Sequence, residues 1–131
     1  MKKMIFGMLT LSLLLMLLVG CGSGKATVPA EEGAGDPVRG EVAFTTLGCN
    51  ACHTETDTEL APTLHGIYGK VVELDGGGRV DKVDDAYLRE SIVSPGVKLV
   101  KGYGPLMPAT YTSLEEQKLL DLIAYIRSLG N

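Results

Sequence analysis

Cys49-Asn50-Ala51-Cys52-His53 is the stretch on which the reading of this chain turns. Two thiols three positions apart, with an imidazole directly after the second, form the pattern by which haem is attached through both vinyl groups and ligated by the histidine. The attachment points on the macrocycle are fixed, so the loop between the thiols must be short. Other chemistry also uses Cys-x-x-Cys. A redox-active dithiol calls for a strand–helix–strand setting, which the flanking sequence lacks. A structural zinc site needs four ligands. Cys49, Cys52, His53 and His65 would supply the number, but the spacing of the two histidines resembles no zinc finger.

An iron held by His53 has a further axial position. Met1, Met4, Met8 and Met16 lie in an N-terminal segment expected to be removed, which leaves Met107 as the single methionine of the remaining chain. It stands in Gly104-Pro105-Leu106-Met107-Pro108, a loop stiffened by two prolines. A lone methionine is commonly core filler, but a helix is the usual place for that. His65 is the candidate for a bis-histidine arrangement, and an open or lysine-bound iron is the third option.

The N-terminus reads as a targeting segment. Lys2 and Lys3 precede Met4 to Val19, which is almost wholly apolar. That run falls short of the roughly 20 residues of a membrane span and suits the apolar region of a secretory signal. Leu18-Val19-Gly20-Cys21 resembles the lipobox of bacterial lipoproteins, which implies cleavage before Cys21 and a diacylglycerol on its thiol. An uncleaved anchor helix is the alternative. With Cys21 so assigned, Cys49 and Cys52 are the remaining cysteines and there is no disulfide framework. The expected organisation is a signal over 1–20, a lipidated Cys21 with a flexible tether to residue 36, and one globular domain over 37–131. The tether is rich in Gly, Ala and Glu, with an expected span of roughly 20 Å. The domain would sit outside the cytoplasm, on the periplasmic face or the outer face of a bacterial membrane.

The formal net charge is −4, and loss of Lys2 and Lys3 with the signal takes it to about −6. Nothing here suits a phosphate backbone, which wants clustered Lys and Arg, so nucleic acid is excluded as a partner. A protein docked by charge would present a basic patch.

The remaining pattern is mainly helical. Asp36-Pro37 predicts an acidic cap and a first helix to about Leu47, closed near Gly48. Val71 to Leu74 and Arg79 to Val83 flank Asp75-Gly76-Gly77-Gly78, a hairpin signature. A second helix is expected over 85–93, capped by Asp84 or Asp85 and ended by Pro95-Gly96. Residues 97–112 read as loop. Ser113-Leu114-Glu115-Glu116 predicts a capping box for the last helix, with Thr112 or Ser113 as cap. That helix places Leu119, Leu122, Ile123 and Ile126 on one face. With no tryptophan and two phenylalanines, so small a core is expected to need a large apolar object inside it.

These residues resemble class I cytochromes c over nearly all of 37–131. Gly40 and Phe44 ahead of Cys49 match the family's first helix, and Leu122-Ile123-Ala124-Tyr125-Ile126 its last. Ala61-Pro62-Thr63-Leu64-His65-Gly66 is similar to the family's Gly-Pro-x-Leu-x-Gly segment, with Ala61 in place of the first glycine. Met107-Pro108 matches the ligand loop. The resemblance implies a mainly α fold in which N- and C-terminal helices cross around one haem c, with the hairpin as a small insertion. It implies thioethers at Cys49 and Cys52, axial ligation by His53 and Met107, and a Pro62 carbonyl that fixes the His53 ring. It also implies pocket support from Leu64, Leu88 and Tyr103. The hairpin, Tyr87 to Ile92 and Gly102-Tyr103 are also similar to the cytochrome c domain fused to subunit II of some haem-copper oxidases. The copper-binding loop and paired membrane helices of such subunits are not in this sequence.

By that resemblance the chain transfers single electrons in a respiratory or photosynthetic chain and is a carrier, not an enzyme; it takes no small-molecule substrate. Expected partners are redox proteins: a quinol-oxidising complex or other donor, and a terminal oxidase or other acceptor. Asn50, Ala51 and the Met107 loop are expected at the docking face. A gas sensor or a peroxidase would need an open iron. Lys70 near a propionate and tyrosines at positions 68, 87, 103 and 111 near the haem are secondary expectations, each set against plain surface or packing roles.

Overall fold

Helix α1 spans Pro37–Thr46 and starts where an acidic cap meets a proline. The Asp36 carboxylate accepts from the backbone N–H groups of Val38 and Arg39 at 2.8 and 3.3 Å, satisfying donors that a helix start leaves orphaned. Gly48, at φ 77°, ends it, a conformation that glycine adopts without strain. Helix α2 spans Asp85–Val93, with the Asp84 side chain accepting from Tyr87 N–H. Helix α3 spans Glu116–Ser128. A computed structural model describes residues 34–130; the expected signal over 1–20, Cys21 and the tether up to residue 33 lie outside the described residues. None of the helices among the described residues is long and apolar enough to cross a membrane.

The fold is mainly helical with one small two-stranded antiparallel sheet, as the sequence predicts. The last helix starts later than expected. Its cap is Glu115, and no side chain completes a capping bond. Ala109–Ser113 winds into a short 310 segment instead, because Tyr111 turns inward and its hydroxyl donates to the Leu47 carbonyl at 3.0 Å. Thr112 and Ser113, the expected caps, belong to that turn, whereas Glu116 begins the helix.

The hairpin is shorter than expected. Strand β1 is Val72–Glu73 and β2 is Arg79–Val80, with Val72 opposite Val80. Gly76 and Gly77, both at positive φ, take the chain off the ladder early. A two-residue ladder is marginal alone. Here β1 is braced on its other edge: Asp75 N–H donates to Leu99 and Lys101 N–H to Glu73, at 2.8 and 2.9 Å. The hairpin therefore ties down the segment that leads to Met107.

Helices α1 and α3 make the main packing contact. Gly40, Ala43 and Phe44 form the buried face of α1. Leu119, Leu122, Ile123 and Ile126 form that of α3, as the 3.6-residue period predicts. Phe44 and Tyr125 meet with ring centroids 5.3 Å apart, tilted at 55°, a favourable aromatic geometry. Gly40 lies so close to α3 that a Cβ there would fall 2.0 Å from the Asp121 carbonyl oxygen.

One charge is buried in this seam. Asp121 takes two bonds from the Arg39 guanidinium, both 2.8 Å, one from Asp36 N–H at 2.8 Å and one from Gln117 at 3.0 Å. Those bonds hold its carboxyl below the usual carboxylate range. Asp121→Ala is expected to cost about 2–4 kcal/mol, since it leaves Asp36 N–H unsatisfied and frees Arg39. The pH dependence follows from the lowered folded-state pKa. The contribution is complete above about pH 4 and is lost as pH falls through the folded value. Urea unfolding near neutrality and near pH 3 checks this: the wild type should lose more stability in acid than Asp121→Asn.

Candidate functional site

Gly48 turns the chain out of α1 into a single 310 turn, Cys49–Ala51. Cys52 and His53 both donate their N–H to the Cys49 carbonyl, at 3.2 and 2.9 Å. The Cys-x-x-Cys-His stretch is thus one tight coil, with both thiols unbridged. Cys49, Cys52 and His53 all line one cleft of about 250 Å³. A smaller cavity of about 80 Å³ adjoins it, sharing Cys49, His53, Leu64, Leu88, Ser91 and Met107 among its walls. Cys49 is half-buried, and burial pushes its free thiol up in pKa. Asn50, Ala51 and Cys52 are exposed.

His53 Nδ1 lies 2.8 Å from the Pro62 carbonyl oxygen. A carbonyl only accepts, so the proton sits on Nδ1 and the Nε2 lone pair is left for a metal. The sequence shows Pro62 but not what holds it. Thr58 bonds to Ala61 in both directions. Thr63 N–H donates to Asp57 at 2.8 Å, and Thr63 Oγ1 bridges the carbonyls of Thr54 and Glu55. A stretch that reads as polar loop is a threonine-braced mount for the imidazole.

Every expected site residue within the described part of the chain lines the cleft: Cys49, Cys52, His53, Pro62, Leu64, Leu88, Tyr103 and Met107. Cys21 lies outside the described residues. His65 is exposed and lines neither cavity. Among the described residues, no group of three or more His, Cys, Asp or Glu side chains is arranged to hold a metal ion.

Two lining residues, Lys98 and Ser91, escaped the sequence reading. Lys98, not Lys70, is the lysine at the cleft wall, and it pairs with Glu90. Tyr111 packs inside, whereas Tyr68 bonds to Asp85 on the surface at 2.9 Å. Asp85 also pairs with Arg127. Ser91 lines both cavities, and its Oγ is buried without a partner. The helical period carried that signal, since Ser91 lies one turn beyond Tyr87.

The walls therefore combine an imidazole with a fixed tautomer, a thioether, two adjacent thiols and a largely apolar lining. That donor set fits a covalently attached haem. A model of the cytochrome c family matches residues 37–130. The chain belongs to the cytochrome c family. No curated protein matches it significantly. Cytochrome c domains bind covalent haem c, one per domain as a rule, and work in electron transfer with redox proteins as partners, generally as carriers and not as enzymes. For this cytochrome c the fold is that of class I, with α1 and α3 crossing beside the cleft.

Proposed function

We propose that this cytochrome c is a lipid-anchored carrier of single electrons outside the cytoplasm, serving a respiratory or photosynthetic chain. The observation that carries the site assignment is the convergence of Cys49, Cys52, His53 and Met107 on one cleft. Cys49 and Cys52 hold haem c as thioethers. His53, its ring fixed by Pro62, and Met107 would ligate the iron. Bound haem c supplies a one-electron couple, and a thioether ligand raises its potential.

The chain's own residues do three things. The braced 54–66 loop keeps the imidazole from turning. The Pro105–Pro108 bracket, backed by Leu106 N–H donating to Gly104 at 2.8 Å, keeps the thioether in place. Leu64, Leu88 and their neighbours exclude water. Exposed Asn50 and Ala51, between the two cysteines, and exposed Leu106 on the cleft wall form the docking face. Redox encounters of this kind are small and weak. Anchoring through Cys21 raises the effective concentration of the carrier at its partners. The acidic balance of the chain favours partners with basic patches. The likeness to oxidase-fused domains supports a terminal oxidase as acceptor.

Optical spectra of the purified protein and of Met107→Ala test the assignment. The unmutated protein is expected to show a low-spin haem c spectrum with a weak far-red sulfur-to-iron band, and the variant to lose that band. A high-spin, gas-binding spectrum in the unmutated protein would instead bring forward a sensor or an enzyme. Detergent phase partition of the same protein tests anchoring. The wild type should enter the detergent phase and Cys21→Ala the aqueous one; equal partition would sink the lipid anchor.

A further inference from the structure

The outward face of α1 is apolar. Val38 and Val42, one turn apart, are 70% and 63% exposed. The helical period sets Thr45 and Thr46 beside them, on the side away from the buried Gly40, Ala43 and Phe44. Both threonine hydroxyls turn back onto the helix, donating to the carbonyls of Glu41 and Val42 at 3.2 and 2.7 Å, which spends their polar groups on the backbone. A helix that is apolar all round is normally covered all round. Val and Thr are also modest helix formers, so local stability does not call for them at these positions.

We infer that this face rests on the surface of the bilayer to which the chain is anchored. The inference rests on the proposed lipid at Cys21. The chain that follows the tether enters α1 directly at Asp36-Pro37. With a tether span of roughly 20 Å, α1 is the first element to meet the lipid. The helix has ten residues, which makes it about 15 Å long and about 10 Å across. Its outer face therefore offers about 150 Å², far short of the roughly 800 Å² per partner of a stable protein interface. A second copy of the chain would not be held by so little. A bilayer would, because the anchor supplies the effective concentration and the contact has only to add orientation. Glu41 stands at one edge of the face, and Arg39 at the other is held by Asp36 and Asp121. The contact is therefore apolar, with neutral lipid, and does not draw on anionic headgroups. Helix α1 runs on into the Cys49–Ala51 turn. Laying it on the lipid keeps that turn close to the membrane surface, within reach of a membrane-embedded redox partner, where the tether alone would let the domain swing.

The test uses the full-length, haem-loaded protein bound to phosphatidylcholine vesicles, carrying Val42→Cys or Lys82→Cys. Lys82 is exposed and follows β2, a strand that makes no contact with α1. With Cys49 and Cys52 in thioethers and Cys21 acylated, each variant has one free thiol, and a charged, membrane-impermeant maleimide reads its exposure. Covering Val38, which both variants keep, favours the docked state by roughly tenfold. Val42→Cys is therefore expected to react roughly tenfold more slowly on vesicles than in the unanchored Cys21→Ala background, and Lys82→Cys at the same rate in both. Equal rates for Val42→Cys in the two settings would overturn the proposal. Equal slowing of Lys82→Cys would do the same, since the vesicle would then shield the whole domain. So would protection that grows with the density of protein on the vesicles, since a second copy would then be the cover. Failure of the wild type to float with the vesicles is the separate result that removes the anchor, and this contact with it.

Discussion

A Cys49→Ala/Cys52→Ala chain prepared without haem is expected to lack a cooperative thermal transition at room temperature. The cleft is walled by residues of the Gly48–His53 turn, the 54–66 loop, β1, α2 and the Met107 loop. Leaving about 250 Å³ unfilled costs ~6 kcal/mol at ~24 cal/mol per Å³ of cavity. Water entering through the open side trades part of that cost for wetting of the apolar walls. Either way the loss rivals the whole stability of an ordinary domain, about 5–15 kcal/mol. This domain has little to set against it. Its fully buried large side chains are Leu122 and Val83. Near- and far-UV circular dichroism against temperature decides the matter. A sharp transition close to that of the haem-loaded protein would show that the polypeptide core suffices alone.

The second large effect is expected at Gly40. In Gly40→Ala the new methyl carbon would lie 2.0 Å from the Asp121 carbonyl oxygen and 2.6 Å from the Tyr125 Cβ. Neither is the free end of a flexible side chain, so the helices must separate. Separation loosens the Phe44–Tyr125 ring contact and the Arg39–Asp121 bonds together. The expected cost is ~4 kcal/mol, above the usual 1–3 for overpacking because backbone must move. For a domain of this size that lowers Tm by ~15–30 °C. Gly96→Ala is the control. Gly96 has open space around it and no positive φ, so its expected cost is under about 0.5 kcal/mol. Equal melting temperatures for the two variants would refute the close-approach argument.

Local rules made most of the frame legible. Asp36-Pro37, Asp84 and the apolar stripe of α3 act through neighbours a few residues away, and the structure reproduces them. The start of α3 was misread because a long-range bond decided it. Tyr111 reaches Leu47, 64 positions earlier, and no capping pattern reports such a reach. The cleft residues were legible where a motif or a resemblance names them. Ser91 and Lys98 were not, since facing an internal cavity is a property of assembled helices. Asp121 is the clearest case. In sequence it is one more surface carboxylate on an amphipathic helix, yet it is 5% exposed because Arg39 and the Asp36 backbone converge on it from the other end of the chain.

That convergence decides where mechanical load goes. The described chain enters the fold at Ala34, whose carbonyl accepts from Gln117 at 2.9 Å, and passes Gly35, which abuts the Leu120 carbonyl. It then reaches Asp36, pinned to Asp121. A tug from upstream is handed to α3 at three successive points before it meets Cys49. The seam acts as a strain relief, like the clamp on a cable. A pull applied upstream of Ala34 would leave the spacing between His53 and Met107 undisturbed.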